Sequence, residues 1–325
     1  MTEMGLSTSG NGSGKSAHVK VLIIGSGPAG FSAALYAGRA QLEPVVLTGQ
    51  ELGGQVSITH MVENYPGFPE GVEGPELTSL FQKQAERFGA KVVFDTATQV
   101  DFSSAPYKVT TYGGEYLADT IIISTGASPR KLNVPGEQEY TGKGVSYCGT
   151  CDGFFFKDKE VVVVGGGDSA MEEGIFLTRF ANKVTVVHRR DELRASAILE
   201  DRAKKNEKID FIWDTVVKSI NSNGDGTVDV VQLENVKSGE QTDFSADGVF
   251  IFIGHLPNTD IFKDQLEMDA AGYLKVNAHM ETNIPGVYAA GEVADPHFRQ
   301  VITSAGMGAA AAIQATRFLE DQEAA

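Results

Sequence analysis

The sequence predicts an α/β protein made of two doubly wound, parallel-sheet domains, one inserted into the other, and three observations predict this fold class. An apolar strand, a glycine-rich loop and a helical stretch follow one another twice, first from Val19 and again from Glu160. Two other apolar strands end in glycine and are followed by Pro129 and Pro257, as expected where a chain leaves one domain for another. At 325 residues the chain is long enough for about two domains.

The composition fits a globular chain and argues against two classes of partner. Hydrophobic residues make up 42% of the chain and charged residues 22%. The net charge of -16 argues against nucleic acid and against an anionic membrane surface. No stretch approaches the apolar length of a membrane span. We therefore expect no nucleic acid, no membrane and no metal among the partners of this chain.

Residues 1–18 are predicted to form a flexible N-terminal tail. They are rich in Gly, Ser and Thr and contain no apolar core of signal-peptide length. The chain has only 2 cysteines, and they form a lone vicinal pair. The lack of a targeting signal together with this thiol pair indicates a cytoplasmic protein in a reducing compartment.

The first strand–loop–helix unit has the spacing of a dinucleotide-binding fingerprint, Gly-x-Gly-x-x-Gly. An apolar run at residues 19–24 leads into the loop, and a helical stretch at residues 31–40 follows it. The first glycine allows a tight turn, the second lets a pyrophosphate approach the backbone, and the third lets the helix pack on the strand. The alternative is a glycine-rich turn without a ligand. The loop consists of Gly25, Ser26, Gly27, Pro28, Ala29 and Gly30.

The 2 cysteines stand as Cys148-Gly149-Thr150-Cys151, just before the second fingerprint. Such a pair can close into a disulfide, and its vicinal thiols can share negative charge, which indicates redox chemistry. A structural zinc site would need two more ligands, which the chain does not supply at ligand spacing. Two buried structural thiols are the other alternative, although the glycines around the pair favour an exposed turn.

The second fingerprint has the Gly-x-Gly-x-x-Ala form. It follows the valine-rich strand at residues 160–164 and leads into a helix that runs to about residue 180. The loop consists of Gly165, Gly166, Gly167, Asp168, Ser169 and Ala170.

A basic cluster follows the next predicted strand, at residues 183–187, where an NAD site would carry an acid. Guanidinium groups bind a dianionic 2'-phosphate, whereas an acid accepts from the ribose hydroxyls. The second site is therefore predicted to prefer NADPH over NADH. The alternative is that the arginines form a solvated face. The cluster consists of His188, Arg189, Arg190 and Arg194.

The first site lacks an acid at the end of its second strand, where Thr48 and Gly49 stand, and this weakens an NAD interpretation. A further glycine-rich loop contains Gly54 and Gln55. Far along the chain, the apolar strand at residues 287–290 ends in Gly291 and Glu292. A carboxylate so placed can accept a ribityl hydroxyl of a flavin, but a core strand that ends in a solvated glutamate is equally ordinary.

The two remaining glycine-ended strands, at residues 120–124 and 248–253, mark the points where the chain changes domain. The simplest architecture inserts a domain at residues 131–258 between the two parts of a discontinuous domain, residues 19–130 and 259–325. Repeated strand–helix–strand patterns make each a doubly wound, Rossmann-like dinucleotide-binding domain. The paired crossings are compatible with a hinge.

A flavin site, an NADPH site and a dithiol together suggest an electron relay. A nicotinamide delivers two electrons as hydride, whereas a disulfide accepts them through a thiolate, so a flavin is the natural intermediary. We therefore expect reduction of the Cys148–Cys151 disulfide by flavin and then exchange with an external disulfide.

The chain resembles the low-molecular-weight thioredoxin reductases over residues 19 to about 319. The resemblance is carried by the Tyr147 to Phe155 segment, by the second fingerprint and by the basic cluster. Four shorter motifs add to it: Gly53-Gly54-Gln55, the polar turn at residues 63–67, Gly254-His255 with Pro257-Asn258, and Arg299-Gln300 with the helix start at residues 305–308.

This resemblance implies FAD in the discontinuous domain, NADPH in the inserted domain, thioredoxin as the substrate partner and a homodimer. It implies that Cys151 faces the flavin, that Cys148 attacks thioredoxin, and that Asp152 is the acid and base that protonates the leaving thiolate. A helix N-cap is the alternative role for Asp152. Besides the first fingerprint, the implied FAD contacts are Gly54, Gln55, Asn64, Val100, Gly291, Glu292, Arg299, Gln300 and Val301.

Three positions depart from the family pattern. Gly149 stands where the family usually has Ala, Glu292 where it usually has Asp, and Tyr147 where Ala is common. These departures are expected to affect the mobility of the dithiol, the ribityl contact and the contact with the partner, respectively. The phenylalanine run at residues 154–156 is interpreted as core packing.

Three competing functions share parts of this pattern. Reductases of peroxidase systems usually carry an extra thioredoxin-like domain with its own cysteines, which this chain lacks. Ferredoxin-linked and flavodoxin-linked flavoproteins of this fold lose either the dithiol or the arginines, whereas this chain has both. A non-catalytic redox sensor would bind flavin but show weak NADPH turnover.

Overall fold

The computed structural model describes residues 16–59, 61–222, 224 and 226–324. The chain divides into two compact units. Unit 1 contains the described residues up to Ser57, then Pro75–Gly126, and then the described residues from Pro257 onwards; unit 2 contains Ile58–Gly74 and Ala127–Leu256. Most of the predicted tail, residues 1–15, lies outside the described residues.

The regular elements alternate between strands and helices along most of the chain, as the α/β prediction requires. The strands are β1 Ser16–Ile24, β2 Val45–Leu47, β3 Met61–Val62, β4 Val72–Glu73, β5 Lys91–Val93, β6 Ala97–Asp101, β7 Tyr107–Thr111, β8 Glu115–Ile123, β9 Ala127–Pro129, β10 Val145–Ser146, β11 Glu160–Val164, β12 Lys183–Val187, β13 Ile209–Ile212, β14 Thr215–Asn221, β15 Val230–Asn235, β16 Gln241–Ser245, β17 Gly248–Ile251, β18 His255–Pro257 and β19 Val287–Ala289. The α-helices are α1 Pro28–Arg39, α2 Gly74–Arg87, α3 Gly149–Asp152, α4 Asp168–Leu177, α5 Ala197–Lys204 and α6 Val301–Ala324, and 3₁₀ turns cover Gly54–Ile58, Gly153–Phe156 and Asp260–Phe262.

Unit 1 is built on a sheet in the order β5-β2-β1-β8-β7-β6, with β19 also paired to β8. The strands β5, β2, β1, β8 and β19 run parallel, whereas β7 and β6 are antiparallel additions. Alternate residues of β1 face opposite sides: Val21 and Ile23 pack with α1 and α6, and Leu22 and Ile24 pack in the second core. A parallel sheet needs both faces covered, which explains why β1 is apolar throughout its buried half.

Unit 2 has a fully parallel sheet in the order β10-β17-β11-β12-β13. Val161 and Val163 of β11 pack on one face with side chains of α4, such as Met171. The other face is covered by the antiparallel sheet β14-β15-β16, through residues such as Val231. The fold class is therefore confirmed, but a three-stranded sheet covers one face where the prediction placed helices.

Two details differ from the prediction. β1 begins at Ser16 because residues 16–18 pair with the first residues of β8, so this stretch is strand rather than tail. The segment Ile58–Gly74 groups with unit 2, although the prediction assigned it to the discontinuous domain. Its strands β3 and β4 pair with each other as a separate hairpin.

Candidate active site

The two cysteines form a disulfide in unit 2, in the segment between β10 and β11. Their Cα atoms lie 5.3 Å apart. Cys148 is the N-cap of α3, and its Sγ accepts the N–H of Cys151 at 3.2 Å. Both cysteines are half-buried, which does not match two fully buried structural thiols. Among the described residues there is no group of three or more His, Cys, Asp or Glu side chains that could hold a metal ion.

Ser146, which the sequence did not single out, ties Asp152 to the disulfide turn. Ser146 is buried at the end of β10, and its Oγ accepts the N–H of Cys148 at 3.1 Å. The same hydroxyl donates to Asp152 Oδ2 at 2.6 Å. Asp152 makes no side-chain capping bond to the 3₁₀ turn that follows it, so the structure does not give it the alternative N-cap role. The available signal was the Ser-x-Cys spacing, because serine often binds the backbone two residues on.

Glu173 of α4 also contacts the disulfide turn, and the sequence analysis missed it. Its Oε2 accepts the N–H of Thr150 at 3.1 Å. Thr150 Oγ1 in turn lies 3.5 Å from Cys148 Sγ. A Cβ added to Gly149 would collide with the same Glu173 oxygen. The carboxylate thus occupies the space that glycine leaves, which gives a physical reason for glycine at this position.

The hydroxyl of the half-buried Tyr147 is anchored within unit 2. It donates to Oε1 of the buried Glu137 at 2.9 Å. Burial, together with this hydrogen bond and the charge of Glu137, raises the pKa of Tyr147. The Glu137 carboxylate also accepts the N–H groups of Leu132 and Asn133 at 2.8 and 2.6 Å. The hydroxyl therefore links the residue before Cys148 to the segment that follows β9.

The phenylalanine run after the dithiol belongs only in part to the core, so the core-packing interpretation was wrong for two of its residues. Phe156 is buried, whereas Phe154 and Phe155 are 57% and 41% exposed. The Phe154 and Phe155 rings lie edge to face with their centroids 6.4 Å apart, and Phe180 supports Phe154 at 6.1 Å. An exposed aromatic pair so close to Cys151 in sequence offers an apolar contact surface.

The glycine loop of unit 1 turns tightly between β1 and α1. Gly25 has φ +114, and a Cβ there would collide with the carbonyl of Ser124. A Cβ on Gly30 would collide with the carbonyl of Gly25, so the third glycine lets α1 start against the strand. Gly27 is the N-cap of α1, and a Cβ on it would meet nothing within 4 Å. The space at Gly27 matches the approach of a phosphate to the helix N-terminus.

The loop after β2 completes this cradle. Gly54 has φ +62, and a Cβ on it would lie 3.3 Å from Gly27 Cα. The buried Ser26 hydroxyl donates to the Thr48 carbonyl at 3.0 Å and accepts the N–H of Gly53 at 3.1 Å. The Ser26 side chain therefore holds the loop, which leaves its backbone for a ligand. Gln55 is exposed next to Gly54.

Gly291 brings Glu292 to the same end of unit 1. Gly291 has φ +79, and a Cβ there would lie 2.8 Å from Ala29 Cβ of α1. Burial raises the pKa of Glu292 to about 7; Arg299 opposes this effect and Asp295 adds to it. Burial makes this carboxyl group costly to ionise in the free protein. A ligand hydroxyl that donates a hydrogen bond to the carboxylate would stabilise the ionised form, so the position suits a ligand contact.

Asp295, another residue that the sequence analysis missed, shapes the loop before α6. It is buried, and its carboxylate accepts the N–H groups of His297, Phe298 and Arg299 at 3.0, 2.9 and 3.2 Å. Arg299 has φ +52 and donates from Nε to the Pro296 carbonyl at 2.9 Å. The Asp295-Pro296 dipeptide was the available signal, because Asp-Pro favours a turn.

Gln300 and Val301 are where α6 starts. The Gln300 carbonyl accepts the N–H of Ser304 at 3.0 Å, and Val301 is the first residue of the helix. A Cβ on Gly308 would collide with the carbonyl of Ala29, so α6 passes close to the fingerprint helix. The structure therefore brings the first fingerprint together with α6 and, through Gly291, with Glu292.

Two further predicted FAD contacts, Val100 and Asn64, lie outside the glycine loops of the cradle. Val100 lies in β6 with its side chain in the core, and its carbonyl accepts the Gln265 amide at 2.8 Å. Asn64 is exposed in the turn between β3 and β4, in the segment that groups with unit 2.

The second fingerprint in unit 2 repeats the geometry of the first. Gly165 has φ +151, and a Cβ there would collide with the backbone near Phe252 or with Ala170 Cβ at 2.8 Å. Gly167 is the N-cap of α4, and a Cβ on it would meet nothing within 4 Å. Ser169 is half-buried in the first turn of that helix. These features fit a nucleotide pyrophosphate as closely as those of unit 1.

The basic cluster follows β12 as predicted, but its members differ in position. Arg189, Arg190 and Arg194 are exposed, and none forms an ion pair within the part of the chain that the structure describes. Arg194 N–H donates to the Gly166 carbonyl at 2.7 Å, which ties the cluster to the fingerprint. Asp168, another predicted contact residue, accepts the N–H of Ser196 at 2.6 Å and so holds the loop that follows the cluster.

His188 is the buried member of the cluster. A Cβ on Gly166 would collide with its ring, and its Nε2 is buried without a hydrogen-bond partner among the described residues. Burial lowers the pKa of His188, and the three nearby arginines lower it further. The ring packs beneath the fingerprint, while the exposed arginines supply positive charge. No described helix is long and apolar enough to cross a membrane.

Comparisons with known proteins agree with this geometry. The family model described as pyridine nucleotide-disulphide oxidoreductase matches residues 19–309. A thioredoxin reductase of Rickettsia conorii is 51% identical over 303 residues, which are 92% of this chain and 98% of the relative. One of Streptomyces coelicolor is 50% identical over 302 residues, 92% and 93% of the two chains. The crystal structure of thioredoxin reductase from Streptococcus pyogenes superposes with a TM-score of 0.90 at 47% identity, covering 94% of this chain and 99% of the other.

Proposed function

The chain belongs to the pyridine nucleotide-disulphide oxidoreductase family, and from this premise we propose that it is a thioredoxin reductase that uses NADPH and FAD. The observation that carries the proposal is the half-buried Cys148–Cys151 disulfide beside the carboxylate of Asp152. The two glycine cradles supply places for two dinucleotides in the same chain. When bound, the pyridine nucleotide and the flavin would supply the two electrons that reduce the Cys148–Cys151 disulfide, and the resulting dithiol would reduce thioredoxin.

For unit 1 we propose FAD. The open space at Gly27 and the facing Gly54 would hold the pyrophosphate. Glu292 would accept a ribityl hydroxyl, which offsets the cost of its burial. The loop that Asp295 holds would contribute Arg299 to the same cofactor site. When bound, FAD supplies the conversion between hydride transfer from a nicotinamide and electron transfer to a disulfide.

For unit 2 we propose NADPH rather than NADH. The support is the set of exposed arginines that have no ion-pair partner among the described residues, next to an open helix N-terminus at Gly167. A guanidinium group can donate two parallel N–H hydrogen bonds to a phosphate, so these arginines suit a 2'-phosphate.

The dithiol performs the exchange with thioredoxin. Reduction of the disulfide takes two electrons and two protons and gives two thiols. Cys148 gives its proton to the Asp152 carboxylate, and its thiolate attacks one sulfur of the thioredoxin disulfide; that S–S bond breaks, a mixed disulfide forms, and Asp152 passes the proton to the leaving thiolate. Cys151 next gives its proton to Asp152 and attacks the Cys148 sulfur; the mixed disulfide breaks, the second thioredoxin sulfur takes this proton from Asp152, and the internal disulfide is restored as reduced thioredoxin leaves. Ser146 orients Asp152 for the proton transfer.

Two further properties are part of the proposal. We place the protein in the cytoplasm, because its dithiol must cycle where NADPH is regenerated and thiols stay reduced. We expect a homodimer, as the family resemblance implies. The exposed Phe154 and Phe155 would provide the apolar contact for thioredoxin.

A coupled assay tests the proposed function. Purified protein with FAD should oxidise NADPH in proportion to added oxidised thioredoxin, and the Cys148→Ser variant should not. If NADPH oxidation proceeds at the same rate without thioredoxin, or if thioredoxin stays oxidised, the proposed substrate is wrong. Light scattering after gel filtration gives the oligomeric state in the same preparation.

A further inference from the structure

The disulfide turn touches a charged residue to which the proposed reaction gives no role, Glu173. Its Oε2 accepts the N–H of Thr150, the residue between the two cysteines on the Cys151 side. The side chain of that same threonine lies 3.5 Å from Cys148 Sγ. Thr150 therefore connects the carboxylate to the sulfur through its backbone on one side and its hydroxyl on the other.

Gly149 makes this contact possible. A Cβ at this position would meet Glu173 Oε2, and the next nearest atoms, Glu173 Cδ and Cβ, would lie at 3.4 and 3.5 Å. The single severe collision is with the end of a flexible side chain, so an alanine here would displace the carboxylate rather than the backbone. Gly149 and Glu173 thus form a matched pair across α3 and α4.

We propose that Glu173 is a positioning residue of the redox centre: its carboxylate fills the space left by Gly149, holds the Thr150 amide, and keeps a negative charge beside Cys148. This inference deepens the proposed function and rests on it, because it assigns a role in the same dithiol.

The charge has a defined consequence for the reduced protein. A carboxylate near Cys148 disfavours the thiolate, since like charges repel, and it withholds the Thr150 N–H from the sulfur. Asp152 faces the same turn from α3 and acts in the same direction, whereas Ser146 and Thr150 contribute uncharged hydroxyls. Cys148 is therefore less ionised with the Glu173 charge than it would be without it. Because Asp152 acts in the same direction, the experiment must change Glu173 and leave Asp152 unchanged.

The ionisation of Cys148 can be measured without any cofactor or partner. In a Cys151→Ser background Cys148 is the single thiol of the chain, because the sequence has only 2 cysteines. The rate of alkylation by iodoacetamide, followed from pH 5 to pH 10, gives the midpoint of its ionisation. Into this background we would introduce Glu173→Gln, Gly149→Ala, both together, and Glu172→Gln.

Glu173→Gln keeps an acceptor for Thr150 but removes the charge, so the midpoint is expected to fall by about half a unit to one unit. Gly149→Ala displaces the carboxylate and is expected to lower the midpoint as well. The double variant should match Glu173→Gln alone, because both changes act through the same carboxylate. Glu172→Gln removes a charge from an exposed neighbour on the same helix and should leave the midpoint unchanged.

The proposal is overturned if Glu173→Gln leaves the midpoint where it was, or if Glu172→Gln moves it equally. It is also overturned if the midpoint shifts of Glu173→Gln and Gly149→Ala are additive in the double variant, since Gly149→Ala would then not act through the Glu173 carboxylate. Flavin content and far-UV circular dichroism establish that each variant is folded. A failed thioredoxin assay with a shifted midpoint would reject the proposed substrate and leave the role of Glu173 standing.

Discussion

Ser146 Oγ lies 2.6 Å from Asp152 Oδ2 and also accepts the N–H of Cys148, so one buried hydroxyl joins the proposed acid to the reactive disulfide. A hydroxyl has one proton, and the Asp152 carboxylate at 2.6 Å is a closer acceptor for it than the Cys148 carbonyl at 3.2 Å. The hydrogen bond stabilises the ionised form of Asp152 and fixes the direction in which it faces. In the sequence only the Ser-x-Cys spacing signals this contact, and its function can be measured.

Ser146→Ala is expected to lower the rate of thioredoxin reduction. It should also move the part of the pH–rate profile that reports the ionisation of Asp152. Loss of a hydrogen bond that stabilises the carboxylate should shift that part to higher pH. Ser146→Thr keeps the hydroxyl and should restore the profile, while Asp152→Asn should abolish this part of it. A Ser146→Ala profile identical to that of the parent would show that the hydroxyl only packs.

Gly27→Ala should remove FAD without unfolding the protein. Gly27 has φ -70 and a Cβ would meet no atom, so the change in unfolding free energy should stay below about 1 kcal/mol. A bound pyrophosphate would collide with the methyl group, and the flavin content should fall at least about tenfold. The matched variant is Gly167→Ala in unit 2, which should keep FAD and weaken NADPH binding. If Gly27→Ala retains FAD, the cradle in unit 1 has been misassigned.

Replacing Arg189 and Arg190 by alanine should erase the preference for NADPH. Each guanidinium that contacts a phosphate contributes about 1.5 to 3 kcal/mol, so the loss of both should raise the KM for NADPH by at least about a hundredfold. The KM for NADH should change little. Arg202→Ala, an exposed arginine on α5, serves as the control. Equal losses with both nucleotides would mean that the arginines act without recognising the 2'-phosphate.

Glu292 predicts a pH dependence of stability in the flavin-free protein. Its pKa in the fold is about 7, above the ordinary value of 4.5, so the folded state binds the proton more tightly than the unfolded chain. The contribution of this proton to the free energy of unfolding is complete below pH 4.5 and is lost as the pH rises to about 7. The free energy of unfolding should therefore fall by about 1 to 3 kcal/mol over this range. Urea unfolding at pH 5 and pH 8 should show this decline in the parent and a smaller one in Glu292→Gln. If the parent and Glu292→Gln lose the same stability between pH 5 and pH 8, groups other than Glu292 cause the decline.

The parts of the site that the sequence predicted are those with local causes. Gly25 and Gly165 stand at turns with positive φ, and the arginines follow a strand at fixed spacing, so a short window contains the whole signal. Glu173 and Asp295 could not be found in this way. Glu173 reaches the dithiol from a different helix, and Asp295 acts through the backbone of the loop that follows it.

The prediction of the fold had similar limits. The apolar runs of β1 and β11 identified two parallel sheets, because only strands buried on both faces are apolar throughout. What covers each face depends on tertiary packing, so the sequence did not reveal that β14-β15-β16 takes the place of helices in unit 2. The Val100 contact was carried over from the family pattern and had no local basis, and the structure shows its side chain in the core.

An anaerobic titration with NADPH, followed by the flavin absorbance, tests the central relay most directly. The flavin and the Cys148–Cys151 disulfide each take two electrons, so the parent should consume about two equivalents of NADPH per flavin. The Cys148→Ser variant has no disulfide and should consume about one equivalent. If parent and variant consume the same amount, or if the flavin is reduced by dithionite but not by NADPH, the disulfide does not lie on a path from NADPH and the account is contradicted.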